Sequence, residues 1–395
     1  MDFSKLAKSL NPYTIKKGFS YLKQYGFQEF KVRLSERFEK EEVDYNEWCK
    51  NDILTDEERK AQRERIWEYP PLISVVVPIY KTPEVFLRQM IESVTAQTYP
   101  HWQLCIADGS GDTAETKRIV DSYLSDKRIK YKILAENLGI ADNTNAAMEL
   151  ADGDYIALFD HDDLLSENAL YEVADRICKT GSEIVYTDED KVTSDLSERY
   201  QPNFKPDFNL DLLRSNNYIC HFFVVRREIA EKTGGLRPEY NGAQDYDYIF
   251  RCTEMAGKIV HIPRVLYHWR VHSASTADNP ASKLYAYEAG KKAIEGNLAR
   301  CGEEGTVTLR SDYGFYDVDY KLRGTPLVSI LIPNKDQADT LRTCLESIKK
   351  KCMYPSYEIL IIENNSTEEA TFSYYKELEA QGIRVLKYPK QGFNY

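Results

Sequence analysis

The sequence contains no long hydrophobic run. No stretch of its 395 residues approaches the roughly 18 uninterrupted apolar positions that a transmembrane helix needs, and the first residues lack the apolar core segment of a signal peptide. The eight cysteines include no CxxC pair, which argues against a zinc site and against a disulfide framework. These absences predict a cytosolic protein whose cysteines are reduced and lie in the core.

Positive charge is scarce, with 52 Lys and Arg against 63 Asp and Glu, for a net charge of −11. Residues 1–35 are the exception, because seven basic and two acidic residues make this arm +5 and leave −16 for the remainder. An acidic body argues against nucleic-acid binding. Aromatic residues interleave with the basic ones, so the arm either makes a peripheral contact with an anionic membrane surface or packs as a helix on the protein or a partner.

The length allows two or three domains, and 42% apolar residues is ordinary for a globular protein. Residues 44–67 are polar and helix-prone, and the run from Thr55 to Glu58 is typical of a helix start. Pro70 and Pro71 close this stretch. We therefore assign residues 1–70 to a basic, helical N-terminal region.

Strand and helix patterns alternate after residue 70. The β-branched run from Ile73 ends at Pro78, as a buried strand would, and a helix follows from Thr82 and Pro83. A second strand pattern covers residues 104–107, and this spacing predicts a parallel βαβ unit. The same alternation continues, which predicts an α/β domain whose polar loops gather at one edge of the sheet.

One apolar run, residues 155–159, ends abruptly in Asp160-His161-Asp162-Asp163. Ligands of α/β sheets bind beyond the carboxyl ends of the strands, where this loop is expected. Three neighbouring carboxylates repel one another unless a cation joins them, and Mg²⁺ and Mn²⁺ prefer carboxylate oxygens. The alternative is an acidic turn that caps the following helix.

Five motifs follow one another along the chain: Val75-Val76-Val77-Pro78-Ile79-Tyr80, Ala107-Asp108-Gly109-Ser110, Asn137-Leu138-Gly139, Phe159-Asp160-His161-Asp162-Asp163 and Gln244-Asp245-Tyr246-Asp247. In this order they resemble the motifs of the family 2 glycosyltransferases, which have the GT-A fold. The resemblance implies a Rossmann-like, mostly parallel sheet flanked by helices, which we assign to residues 71–305.

The resemblance also implies where a nucleotide-sugar binds. The expected contacts lie at the strand ends and in the acidic loop, and they are Pro78, Tyr80, Asp108, Asn137, Gly139 and Asp160. Asp188, at a later strand end, is expected to border the donor or the acceptor, and Arg270 is expected to meet a phosphate. Tyr80 has a second interpretation, as an aromatic residue packed on the first helix.

Asp160 and Asp162 match the Asp-x-Asp motif of the family, which implies that they bind Mn²⁺ or Mg²⁺. A late histidine completes the metal shell in many GT-A enzymes; we assign His272 this role in preference to His268, although a packed surface histidine is the alternative. Asp245 matches the catalytic base, which implies inversion at the anomeric carbon. Asp245 could instead cap the helix that follows it.

Residues 327–333 repeat residues 72–78, and later landmarks keep step: Pro100 lies 22 residues after Pro78, and Pro355 lies 22 after Pro333. A single long period predicts tandem domains. We assign residues 306–325 to a linker and 326–395 to the N-terminal half of a second, truncated GT-A-like domain of a longer protein.

These observations predict a metal-dependent inverting glycosyltransferase that uses a UDP- or dTDP-linked sugar. The expected acceptor is a growing cell-surface polysaccharide or its lipid-linked precursor at the cytoplasmic side of the plasma membrane, a setting that comes from the family. Two alternatives stay open. One is a sugar-phosphate nucleotidyltransferase, and the other is a non-catalytic nucleotide- or sugar-binding scaffold.

Overall fold

The computed structural model describes residues 44–111, 114–272 and 284–388, together with six positions between 22 and 31. Most of the predicted basic arm lies outside these residues. The chain divides into two compact units, one up to Asp319 and one from Tyr320 onward. Each unit is described by itself below.

The first unit is organised around a nine-stranded mixed sheet with the order β3-β2-β1-β4-β8-β6-β9-β5, in which β7 pairs with β6. The pairs β1–β2, β2–β3, β1–β4 and β6–β9 are parallel, and β8 runs antiparallel to both of its neighbours. The strands are β1 (Ile73–Ile79), β2 (Trp102–Asp108), β3 (Ile129–Ile133), β4 (Tyr155–Leu158), β5 (Leu164–Leu165), β6 (Ile184–Thr193), β7 (Arg199–Asn203), β8 (Phe223–Arg226) and β9 (Ile259–Val271).

The central strands are apolar throughout because both faces of the sheet are covered. Val75 and Val77 of β1 belong to the hydrophobic core on one face, whereas Val76 belongs to the core on the other. The predicted end of this strand at Pro78 is wrong, since β1 continues to Ile79. The registered pairing with β4 already stops at Val76, so the strand tolerates a residue that has no N–H to donate.

Ten α-helices and one 3₁₀ turn (Pro238–Tyr240) surround this sheet in the described residues. The α-helices are α1 (Tyr45–Asn51), α2 (Asp56–Glu64), α3 (Glu84–Thr95), α4 (Ala114–Asp121), α5 (Ile140–Met148), α6 (Ala169–Thr180), α7 (Leu210–Ser215), α8 (Arg227–Thr233), α9 (Gln244–Met255) and α10 (Leu284–Arg300). The predicted helix start at Thr55 is confirmed, and Thr55 and Glu58 form a reciprocal capping box.

Part of the predicted linker is structured. Strands β10 (Gly305–Leu309) and β11 (Tyr316–Tyr320) form a two-stranded sheet. Val307 and Tyr316 are buried in the core of the first unit, and Tyr316 donates a hydrogen bond to the carbonyl of Tyr287 on α10. The hairpin therefore belongs to the packing of the first unit, because its apolar side chains cover α10.

The second unit repeats the opening of the first. It contains β12 (Val328–Asn334), α11 (Ala338–Lys351), β13 (Tyr357–Glu363), α12 (Glu369–Ala380) and β14 (Arg384–Lys387) in a parallel sheet of order β12-β13-β14. Pro333 pairs with Ile362, just as Pro78 pairs with Ala107 at the same step of the β1–β2 ladder. A separate small core holds this unit together.

Across the described ranges, no helix is both long and apolar enough to cross a membrane. All eight cysteines are free, and their predicted burial is correct for Cys49, Cys105 and Cys252 alone. Cys220 is half-buried, and four are exposed: Cys178, Cys301, Cys344 and Cys352.

Candidate active site

The loops that follow β1, β2 and β3 meet at one edge of the sheet, as the parallel order requires. The Lys81 amide donates to Oγ of Ser110 at 2.7 Å, which ties the first two loops together. Gly109 lies so close to the Asn137–Asn143 side-chain pair that an added Cβ would stand 2.7 Å from Nδ2 of Asn143. A glycine is needed here because a larger residue would push the second and third loops apart.

The predicted nucleotide contacts differ in their access to this edge. Tyr80 and Asn137 are exposed, and Gly139 adopts a φ of 89° just before α5, which a residue with a side chain rarely adopts. Pro78 is buried within β1. Three of these four predicted positions therefore face solvent or border it.

Asp108 is fully buried. Its carboxylate accepts hydrogen bonds from the Ser110 amide at 2.8 Å, from Thr116 Oγ1 at 2.7 Å and from the Tyr131 hydroxyl at 2.7 Å. In this structure Asp108 holds the loop after β2 rather than presenting an oxygen to a ligand. Its position at the strand end agrees with the sequence analysis, whereas its orientation does not suit the predicted contact.

The loop after β4 contains a cluster of side chains that could hold a metal ion. Asp160, Asp163 and His221 offer ligand atoms that all lie within 4.8 Å of one another. Nε2 of His221 lies 3.6 Å from Oδ2 of Asp160, because β8 runs antiparallel to β4 and begins where β4 ends. Of the predicted metal ligands, this cluster contains Asp160 but neither Asp162 nor His272, and the tertiary fold adds Asp163 and the imidazole of His221 to it.

The acidic loop is short of positive charge. Burial, together with the charges of Asp162 and Asp160, raises the pKa of Asp163 well above its usual value. Asp163 accepts hydrogen bonds from the Tyr267 hydroxyl at 2.5 Å and from the Arg270 amide at 2.7 Å. A divalent cation would offset the remaining repulsion, so the donor set fits Mn²⁺ or Mg²⁺.

Arg270 was predicted to contact a phosphate, but its side chain does not reach outward. Its side chain is fully buried, and its guanidinium donates to the carbonyl oxygens of Asp162 at 2.6 Å and of Ser194 at 2.9 Å. It also stacks over the Phe86 ring at 4.4 Å. Arg270 therefore shapes the acidic loop from behind.

The two candidate histidines of β9 and its end occupy different environments. Nε2 of His272 lies 2.8 Å from Oδ2 of Asp162. His268 is instead held at both ring nitrogens, by Asp190 at 2.6 Å and by Ser166 at 2.9 Å. The structure thus brings the predicted pair Asp162 and His272 together and leaves His268 in the supporting packing.

Glu189, rather than the predicted Asp188, faces this cluster. Its carboxylate lies 3.1 Å from Nδ1 of His221, and although burial alone would raise its pKa, Lys205 and His221 lower that pKa to about 2. Asp188 is buried and accepts from the Lys205 amide and from His261 at 2.7 Å. Adjacent strand residues point to opposite faces, so Asp188 and Glu189 lie on different faces of β6 and only Glu189 contacts His221.

The neighbours of His221 favour its protonated imidazole. Burial alone would lower its pKa, but Cys220, Glu189 and Asp160 raise it well above the usual value. A cation that binds here would displace that proton, as metal ligation by an imidazole requires.

Asp245 lies in the first turn of α9 and is half-buried. Its Oδ2 accepts a hydrogen bond from Nδ2 of Asn217 at 2.9 Å and lies 3.8 Å from Sγ of Cys220. Burial raises the pKa of Asp245, and the charge of Asp160 adds to that effect. Asp247, two residues further along α9, is fully buried between Arg237 and Arg251. It anchors the start of the helix.

Four residues of this region were not predicted as site residues: Asn217, Cys220, His221 and Lys205. The signal in the sequence was weak, because it consists of a polar segment directly before the buried run Phe222–Val225. A histidine at the start of a buried strand lies at the edge of the sheet, but which edge depends on whether the strand is parallel. Periodicity does not determine that direction.

Comparison with known proteins assigns the family. A sequence profile described as glycosyl transferase family 2 matches residues 74–234 and 329–394, which is more than half of the chain. An uncharacterized protein of Sinorhizobium fredii, y4gI, is 40% identical over 332 residues, covering 82% of this chain and 36% of that protein. The O-antigen biosynthesis protein RfbC of Myxococcus xanthus is 36% identical over 341 residues, covering 85% and 26%.

The chain thus spans about a third of the length of these two relatives. Among solved structures, S. aureus TarS 1–349 in complex with UDP aligns with 57% of this chain and 65% of that one, at 20% identity and a TM-score of 0.47. The family profile matches both copies of the internal repeat, and its first match contains the motifs at the ends of β1, β2 and β4. The chain belongs to glycosyl transferase family 2 and has the GT-A fold.

Proposed function

We propose that the first unit is a metal-dependent, inverting glycosyltransferase that takes a sugar from a nucleotide-sugar donor. The observation that carries this proposal is the contact series from Asp160 through His221 and Cys220 to Asp245. This series connects the cation-binding loop and the candidate base within one site. Family membership supplies the reaction class.

The residues that would hold the cation are Asp160, Asp163 and His221, with Asp162 and His272 beside them. When bound, the metal would neutralise the charge that develops on the departing diphosphate. The loop itself is kept in shape by Arg270 and Tyr267, which bind it from within the core. Both supports make the carboxylates converge before any ligand arrives.

Asp245 would accept the proton of the acceptor hydroxyl as its oxygen attacks the anomeric carbon. The new C–O bond forms while the bond to the diphosphate breaks, and the diphosphate leaves with the electron pair. A single displacement of this kind inverts the anomeric centre. Asn217 donates to Oδ2 of Asp245 and so orients the carboxylate.

The loop residues Tyr80, Asn137 and Gly139 are the donor contacts that we propose beside this site, and Tyr80 and Asn137 are exposed. Asp108 would act through the loop that it holds. The relative named for O-antigen biosynthesis supports a glycan or lipid-linked glycan as acceptor. We place such a reaction on the cytoplasmic side of the membrane, with the basic arm as its contact.

The test is a calorimetric titration with Mn²⁺ and with UDP, TDP and GDP in turn. We expect metal-dependent binding of one nucleotide by the wild type, its loss in Asp162→Ala and its weakening in His272→Ala. The matched control is His268→Ala, which removes a histidine of the same strand region that faces away from Asp162. Equal nucleotide binding by Asp162→Ala would refute the metal site, and binding of no nucleotide would refute the nucleotide-sugar donor.

A further inference from the structure

Lys205 is a lysine whose side chain is completely buried. An ammonium group has three N–H donors, and each of them finds an acceptor here. Nζ lies 3.1 Å from Oε2 of Glu189 and 2.8 Å from the carbonyl oxygen of Ile219, and it also donates to the carbonyl of His221. All three donors of the ammonium group are thus engaged, and two of them hold the backbone of the segment from Ile219 to His221.

That segment reaches the cation cluster through His221. Glu189 receives Lys205 on Oε2 and holds Nδ1 of His221 with the same atom, at 3.1 Å. The contact at Nδ1 therefore fixes the imidazole ring, and the contact at the carbonyl of His221 fixes its backbone. Nε2 is left facing Oδ2 of Asp160 at 3.6 Å.

The same segment reaches the candidate base. Asn217 donates to Asp245 at 2.9 Å, and Sγ of Cys220 lies 3.8 Å from the same oxygen. Lys205 binds the carbonyls on either side of Cys220. The ammonium group of Lys205 thus anchors the backbone of the segment that contacts both the cation cluster and Asp245.

We propose that Lys205, together with Glu189, is a positioning residue that sets the orientation of His221 toward the cation loop and the distance of that loop from Asp245. The proposal rests on the proposed function for its chemistry. Stability alone does not account for such a residue, because replacing a buried ion pair by apolar side chains is often neutral or stabilising. Groups that orient metal ligands, in contrast, affect metal affinity strongly.

The experiment compares the full chain with Lys205→Met, which keeps the length of the side chain and removes its charge. The matched control is Arg214→Met. Arg214 is also a buried cation, and its partners are Asn297 at 2.8 Å and Glu303 at 2.6 Å, on α10 and just after it. If Lys205→Met does not fold, Glu189→Gln is the deciding variant, because it keeps the volume and an acceptor but removes the charge.

Two readouts are measured. The first is Mn²⁺ affinity by calorimetry, which we expect to weaken by about 10- to 100-fold in Lys205→Met and to stay unchanged in Arg214→Met. The second is the ¹⁵N imidazole spectrum without metal, in which the His221 signals should shift in Lys205→Met alone. Unchanged Mn²⁺ affinity together with an unchanged His221 signal would overturn the proposal.

A wild type that binds no Mn²⁺ would refute the proposed cation site, and the imidazole spectrum would then decide the role of Lys205 by itself. A shifted His221 signal would support the positioning role, and an unshifted one would refute it. The two failures are therefore distinguishable.

Discussion

At the scale of single residues, Asp245 is subject to two opposing effects. Burial favours its neutral acid and raises its pKa, whereas its place in the first turn of α9 and the hydrogen bond from Asn217 favour the carboxylate. The net direction is upward. A raised pKa makes a carboxylate a better proton acceptor as long as the pH stays above it.

We therefore predict that the transfer rate falls as the pH decreases through the raised pKa of Asp245, because the protonated acid accepts no proton. Asp245→Asn should lower the rate by about 10²- to 10⁴-fold while it keeps Mn²⁺ and nucleotide binding. Steady-state rates across a pH series check both statements. A wild-type rate that stays constant down to the ordinary titration range of aspartate would contradict the assignment.

At the scale of elements, α1 and α2 lie outside the matched family segment and yet brace the site. Tyr45 of α1 donates to the buried Asp190 at 2.8 Å, beside Glu189 on β6. Arg59 of α2 binds both carboxylate oxygens of Glu167 at 2.7 Å, a few residues after the acidic loop. The helix pair is thus part of the packing of the first unit rather than a separate N-terminal region.

Tyr45→Phe tests this bracing. Asp190 also binds Arg199 and His268, so loss of the Tyr45 hydroxyl should cost about 1.5–3 kcal/mol of unfolding free energy, the range for a hydrogen bond to a charged group. Urea denaturation measures the change. Tyr69→Phe is the control, since Tyr69 is 80% exposed. Equal stability of the two variants would show that α1 is not held through Asp190.

At the scale of the whole molecule, the repeat consists of two compact units with separate cores. The equivalent steps of the β1–β2 and β12–β13 ladders both carry a proline, and Asp108 corresponds to Glu363 at the strand end. We propose that the second unit is the N-terminal half of a second GT-A-like domain. Its core is small, since two helices and three strands supply it.

Separate cores predict separate unfolding. Ile361 is fully buried in the second unit, and Ile361→Ala should lower the stability of that unit by about 2–5 kcal/mol. Calorimetric scans should show one transition shifted and the other unchanged, with Mn²⁺ binding retained. Ile106→Ala, in the core of the first unit, is the control and should shift the other transition. A common shift in both variants would mean that the units unfold together.

The sequence by itself determined the parts of this protein that depend on local pattern. Fully apolar strands followed by acidic or glycine-containing loops predict a parallel sheet with its ligand edge at those loops, and the repeat of residues 72–78 at 327–333 predicts a second copy. Asp160 and Asp162 are predicted as site residues because they follow a buried strand, whereas Asp245 is predicted from its resemblance to a family motif.

The tertiary structure alone decided which side chains meet at the candidate active site. His221 joined the carboxylates because β8 runs antiparallel to β4, and Glu189 rather than Asp188 contacts it because the two carboxylates lie on opposite faces of β6. Arg270 and Asp108 turned into the core, where hydrogen bonds to loops satisfied them. Strand direction, register and burial depend on contacts between residues that are distant in the chain, and a local pattern does not contain them.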